Sequence, residues 1–336
     1  MVIDFPHRQF AHCESGVTAN LLTHHGYPCS EALVFGIGSG LFFGYVPFIK
    51  LNFLPLTTFR VAPGGIFKKA TRRLGVTIRQ QRFRSPVEAE QRVDELLAAG
   101  IPVGAQTGVF WLPYFPPAYR FHFNGHNLVV MGKQENDYLI SDPIFETVVS
   151  CPVPDLRRAR FARGALAPKG RIYWIEDMPQ EIDLRTAVSA GIAEVCRVML
   201  KTPVPVAGVR GIRFLARRLP QWPDKLGEKK ALLQLGHIVR MQEEIGTGGG
   251  GFRFIYAAFL QEAAAVLDDE RLLDLSQRCT AIGDQWREFA LIAARACKGR
   301  AGVRDSVVQL AQFLVRCADD EEQLFVDLQA VVREHR

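Results

Sequence analysis

The stretch 123–143, "FNGHNLVVMGKQENDYLISDP", decides how the chain is read. An apolar run that opens on His126 and a second run that closes on Asp142 flank the polar turn Glu135–Asp137, the pattern of a β-hairpin. Upstream, "GIPVGAQTGVF" reads as a buried strand entered from a Gly-Pro turn. Pro86 to Ala99 reads as an amphipathic helix with Val93, Leu96 and Leu97 on its apolar face, and 14–25 as another helix. Strands mixed with helices make this half α+β. Past "IEDMPQEID" strand patterning stops. Helical periodicity takes over in 185–200, 207–219, 229–245, 252–267, 270–297 and 303–334, and no repeat relates these segments. The expected organisation is a mixed domain over 1–178 followed by an irregular all-α domain over 179–336.

The chain has 336 residues, enough for two cores, with 48% hydrophobic and 23% charged residues. A net charge of +6 suits an acidic partner but lacks the density of a nucleic-acid binder, so no nucleic acid is expected. Seven irregularly spaced cysteines follow an N-terminus without a basic n-region and apolar h-region, which predicts reduced thiols and a cytoplasmic protein. Ala32 to Ile49 is uncharged over 18 positions, yet Gly36, Gly38, Gly40, Gly44 and Pro47 disfavour a bilayer helix. It reads as a buried loop-and-strand segment, and no membrane span is expected. G-x-G-x-x-G is not met there either, because Leu41 stands where the third glycine belongs.

Cys13 directly precedes the first helix, where unpaired backbone N–H groups and the helix dipole favour an anion. A cysteine nucleophile also needs a base, and the base needs an orienting group. His126 and Asp142, 16 positions apart at the two ends of a hairpin, can meet at one sheet edge and supply both. An inert buried thiol and a zinc ligand are the other readings of Cys13. His12, His24 and His25 lie near, but their spacing matches no standard ligand pattern, and His24 and His25 suit a helix C-terminus before Gly26. No metal is expected. His122 reads as a pocket-wall or surface histidine.

Cysteine early on a helix, then after about a hundred residues His-x-x-V-V, a short turn and a strand ending in Asp-Pro, resembles papain-like cysteine enzymes of the C39-peptidase-like type. "HCESGVTANLLTHHG", "SEALVFGIGSGLFFGY", "WLPY" and "GTGGGGFRFIYAAFLQEAA" resemble, more closely and over nearly the whole chain, the family of butirosin biosynthesis protein BtrH. The resemblance implies a papain-like N-terminal domain, a helical C-terminal domain and a ping-pong acyl transfer. Cys13 would take an acyl group from the phosphopantetheine thioester of an acidic acyl carrier protein, and a small-molecule amine would then attack the acyl-enzyme. His126 would be the base and Asp142 its orienting acid. Phosphopantetheine would arrive with the carrier, with no cofactor bound permanently. Papain-like enzymes usually place a Gln ahead of the nucleophile. Gln9 is the residue offered here, with His7 nearer the usual spacing.

"GTGGGG", 246–251, enters the helix "FRFIYAAFLQEAAAVL". Gly248, Gly249, Gly250, Arg253 and Tyr256 are the substrate-binding candidates, because glycines before a helix free N–H groups for an anion and Arg253 adds a positive charge. An interhelix loop with Arg253 in an ordinary ion pair fits the same residues. Arg157, Arg158, Arg160, Arg163, Lys169 and Arg171 form a run that either steers an acidic carrier protein or is merely solvated. A cysteine peptidase or amidohydrolase on the same triad is the alternative activity, since water can resolve an acyl-enzyme as an amine does. A binding protein with structural Cys, His and Asp is a third reading. A homodimer is compatible with all of them.

Overall fold

The computed structural model describes residues 2–51 and 53–335. In chain order the elements are α1 (Cys13–His24), α2 (Glu31–Ile37), β1 (Leu41–Leu51), β2 (Leu54–Arg60), α3 (Gly65–Arg73), β3 (Thr77–Gln81), α4 (Pro86–Ala98), β4 (Val103–Thr107), β5 (His126–Gln134), β6 (Asp137–Ser141), β7 (Val149–Pro152), α5 (Val153–Arg160) and β8 (Ile172–Asp177). There follow α6 (Leu184–Lys201), α7 (Gly208–Arg218), α8 (Trp222–Leu226), α9 (Glu228–Glu243), α10 (Arg253–Leu267), α11 (Arg271–Cys297) and α12 (Val303–Glu334). Two compact units form: Met1–Val34 with Thr71–Ile182, and Phe35–Ala70 with Asp183–Arg336.

The first unit is an antiparallel sheet of order β3-β8-β4-β5-β6-β7 with helices against it. The hairpin expected at 123–143 is β5 and β6, with Gln134 opposite Asp137 at the turn and Val129 opposite Ser141. Thr107 at the end of β4 faces His126 at the start of β5. Helix α4 starts on Ser85, whose side chain caps the Glu88 N–H, and has Pro86 in its first turn. Its stripe Val93, Leu96, Leu97 joins Val103, Leu128, Val130, Ile140, Ile172 and Trp174 in one buried core.

The second unit packs α6, α7, α10, α11 and α12 together and includes the β1–β2 hairpin. Residues 35–70, which the division expected at 178/179 keeps with the mixed domain, group here with the helical segment. The apolar faces of Phe43 and Phe59 settle the matter: both rings lie on Trp286 of α11, at 5.7 and 5.3 Å between centroids. The segment 32–49 is not loop and strand throughout, because its first part is helix α2. Gly36 is tolerated there since a Cβ would come within 2.1 Å of the Phe259 ring, so close packing on α10 outweighs the helix cost of glycine. No helix among the described residues is long and apolar enough to cross a membrane.

Candidate active site

Cys13 opens α1 and is buried. His12 is the N-cap, with extended backbone (φ −114°, ψ 124°), and its side chain accepts from the Ser15 N–H. The turn ahead of the helix is fixed by the Glu31 carboxylate, which accepts from the backbone N–H groups of Ala11 (3.1 Å) and His12 (2.6 Å) and from the Ser15 hydroxyl (3.3 Å). Burial pushes the Glu31 carboxyl up, with these hydrogen bonds opposing.

The N-terminal strap carries this helix start to the far end of the hairpin. Ile3 N–H donates to Met131 O and Phe10 N–H to Pro143 O (2.6 Å), and the His7 ring lies between Ser141 Oγ (2.7 Å) and Phe145 O (3.1 Å). Gly16 allows the approach, since a Cβ there would sit 2.8 Å from Pro143 Cβ. The first turn of α1 thus abuts the Asp142-Pro143 turn.

His126 Nε2 lies 2.7 Å from Asp142 Oδ2, and both side chains are buried. The Cys13 thiol is close enough to the imidazole to act on its protonation, while Nε2 is taken by Asp142. Asp142 is fixed on its other side, for Oδ1 accepts the Ile144 N–H (3.2 Å) and Oδ2 the Tyr114 hydroxyl (2.9 Å). Burial alone would push His126 down. The Asp142 charge and hydrogen bond, with those of Cys13, outweigh it and raise His126 to about 10. At neutral pH the ring is an imidazolium between two partners that can carry negative charge, one of them nucleophilic. Phe115 closes it edge-on at 5.4 Å.

That proton has a measurable consequence. His126 gains it on folding, so its stabilisation is complete below pH 6.5, the ordinary histidine value, and is lost as pH rises through about 10. Urea unfolding between pH 6.5 and 9.5 is expected to show stability falling by on the order of 1 kcal/mol per pH unit more steeply in the wild type than in His126→Gln. Equal slopes in the two proteins would mean that His126 is not protonated in the folded state.

The other candidates fall elsewhere. Gln9 is exposed and its amide donates to Ile144 O (3.2 Å), so together with His7 it clamps the 141–145 turn instead of aiming at Cys13. The Cys13 backbone N–H, in the first helical turn, has no acceptor among the described residues. His24 and His25 end α1, roughly 16 Å along the helix from Cys13. His25 Nδ1 lies 2.9 Å from Leu21 O, and Gly26 follows at φ +83°. His122 stacks on Phe110 at 4.2 Å.

The glycine loop belongs to the core of the helical unit. Gly249 N–H donates to Thr247 Oγ1 (3.0 Å) and Gly250 N–H to Glu243 Oε1 (3.1 Å), so these two donors are already spent on the protein. Gly248 is exposed, while Gly249 and Gly250 are buried. Arg253 is 1% exposed and forms a bidentate pair with Glu321 (2.7 and 3.0 Å), between the rings of Phe59 and Trp286. Tyr256 is fully buried on the same helix. Of the residues expected to hold a ligand anion, Gly249, Gly250 and Arg253 thus have partners within the protein. Buried charge demands a partner, and Glu321 supplies it inside the fold. The basic run 157–171 is split: Arg157, Arg158, Arg163 and Lys169 are exposed, whereas Arg160 and Arg171 are not. Arg157 pairs with Glu90 and Arg158 with Asp155, while Arg160 and Arg171 are buried on Ala89 O and on Gln106 with Gln80.

Tyr114 is the site residue that sequence reasoning did not single out. Its only signal was a place in "WLPY", and nothing local says that its hydroxyl reaches Asp142, 28 positions on.

A cysteine at a helix start, packed against an antiparallel sheet that carries His126 and Asp142, is the arrangement of side chains that papain-like cysteine enzymes use. The chain belongs to the family described as Domain of unknown function DUF4872, which matches residues 154–328, and residues 12–143 match the family Butirosin biosynthesis protein H, N-terminal. Among solved structures, a Bacillus anthracis protein described as a C39-like peptidase is 17% identical, with 53% of this chain and 98% of that chain covered at a TM-score of 0.37. No curated protein matches the chain.

Proposed function

We propose that the protein is an acyltransferase that moves an acyl group from an acyl carrier protein thioester to an amine through a Cys13 acyl-enzyme, forming an amide. The observation that carries the reading is the His126 ring held between Asp142 and the Cys13 thiol. The match to the Butirosin biosynthesis protein H domain, with the activity its resemblance implies, favours transfer over hydrolysis.

In the first half-reaction the Cys13 thiolate attacks the thioester carbonyl, and the carbon–sulfur bond to phosphopantetheine breaks. The departing thiolate takes the proton of the His126 imidazolium. Now neutral, His126 accepts a proton from the amine as its nitrogen bonds to the acyl carbon, and Cys13 leaves as thiolate beside a restored imidazolium. The net reaction exchanges a thioester and an amine for an amide and a free carrier thiol. Asp142 holds the ring and stabilises its charge, and the Cys13 N–H faces the oxyanion. A net charge of +6 suits the acidic carrier.

Intact mass spectrometry after incubation with a panel of acyl carrier protein thioesters, then with an amine panel, tests this. The expected result is one acyl adduct on the wild type that an amine discharges as amide. Discharge only as free acid with amine present would establish the peptidase or amidohydrolase alternative. No adduct from any donor would overturn the acyl-carrier reading.

A further inference from the structure

Within the helical unit, a cavity of about 300 Å³ lies between the β1–β2 hairpin and the segment from the end of α7 into α9. Its floor is apolar and aromatic: Tyr45, Pro55 and Trp222 are buried there, the two rings 6.1 Å apart. The rim is cationic, with Lys50, Arg218 and Lys225 all exposed.

The charges on this rim are unmatched. No carboxylate lines the cavity among the described residues, and none of the three cations has an ion pair there. Lys225 donates to Gln221 Oε1 (2.7 Å) and Arg218 lies over the Phe214 ring (5.1 Å), contacts that leave their charge uncompensated. Some arginines elsewhere on the same unit are matched, Arg213 by Asp319 and Glu322, Arg278 by Asp327 and Arg304 by Asp224. Burial pushes the Tyr45 phenol up to about 12 although the Arg218 charge opposes it, so at neutral pH Tyr45 is a hydroxyl donor facing the same space. Its one hydrogen bond, to Gln234 Oε1, is long at 3.4 Å.

We propose that this cavity binds an organic phosphate, with phosphate oxygens on Arg218, Lys225 and Lys50 and an apolar or aromatic body over Trp222 and Tyr45. Three cations lining one cavity exceed what one carboxylate needs, whereas a phosphate dianion spreads its charge over three oxygens and can accept from a guanidinium and ammonium groups. The aromatic floor supplies apolar contact that inorganic phosphate would leave unused.

Isothermal titration calorimetry of the full chain in low-salt chloride buffer tests the site with three probes: adenosine monophosphate, 4′-phosphopantetheine and inorganic phosphate. At least one organic phosphate is expected to bind with unit stoichiometry and at least tenfold more tightly than inorganic phosphate. The double variant Arg218→Gln/Lys225→Gln should weaken it tenfold or more while circular dichroism shows the fold kept, both side chains being exposed. Preference for the nucleotide assigns a ring-bodied ligand, and preference for 4′-phosphopantetheine a chain-bodied one. Three results would overturn the proposal: no saturable binding of either organic phosphate, inorganic phosphate binding as tightly, or affinity unmoved by the double variant.

Discussion

Cys13→Ala is expected to lower amide formation by roughly 10⁴-fold or more and to leave no acyl adduct, because the acyl group then has no covalent carrier. Cys29→Ala serves as the control. It removes a thiol that is also buried, ahead of α2, and should leave turnover within about twofold. His126→Ala should approach the loss seen for Cys13→Ala, since the two act as one unit, whereas Asp142→Asn keeps the ring near its place and should retain measurable transfer. Tyr114→Phe is the mildest of the set. It removes one hydrogen bond to a carboxylate that keeps two others, and a loss of about tenfold in turnover is expected, corresponding to about 1.4 kcal/mol. Equal activity of Cys13→Ala and Cys29→Ala in steady-state assays would remove the nucleophile assignment, and with it the order of the other three.

The second large effect is on stability. Arg253→Met is expected to destabilise the helical unit by about 3–5 kcal/mol in chemical denaturation, because it strands the buried Glu321 carboxylate. Glu321 accepts from Arg253 Nε (3.0 Å) and Nη2 and from the Trp286 indole N–H (2.7 Å), so Glu321→Leu leaves the buried guanidinium without its counter-charge and the indole without this acceptor, and should cost a similar amount. Together, Arg253→Met/Glu321→Leu should lose less than the sum of the two, since neither charge is then left alone in the core. Strict additivity would show that the pair does not interact. This result also separates a structural Arg253 from a ligand-binding one, because a ligand contact alone would leave denaturation unchanged.

The sequence by itself determined the 123–143 hairpin, the start of α1 and the long helices of the second half. The hairpin 123–143 is local, its strands are apolar runs flanking a polar turn, and a return of the chain within 16 residues puts His126 and Asp142 at one sheet edge whatever else happens. Cys13 was legible because a helix start is a local event, and the expected helices of the second half lie within about two residues of α6, α7, α9, α10, α11 and α12. What the tertiary structure alone decided depends on partners far away in the chain. Arg253 looks like an anion-binding arginine after a glycine loop until Glu321, 68 positions on, meets it in the core. Arg157 looks like part of a docking stripe until Glu90, 67 positions earlier, pairs with it. The β1–β2 hairpin joins the helical unit because Trp286 offers its rings a surface there, and Tyr114 joins the site because its hydroxyl reaches Asp142. Backbone propensity and hydrophobic period act over a few residues and leave a local record. The neutralisation of a buried charge is settled only when distant segments pack.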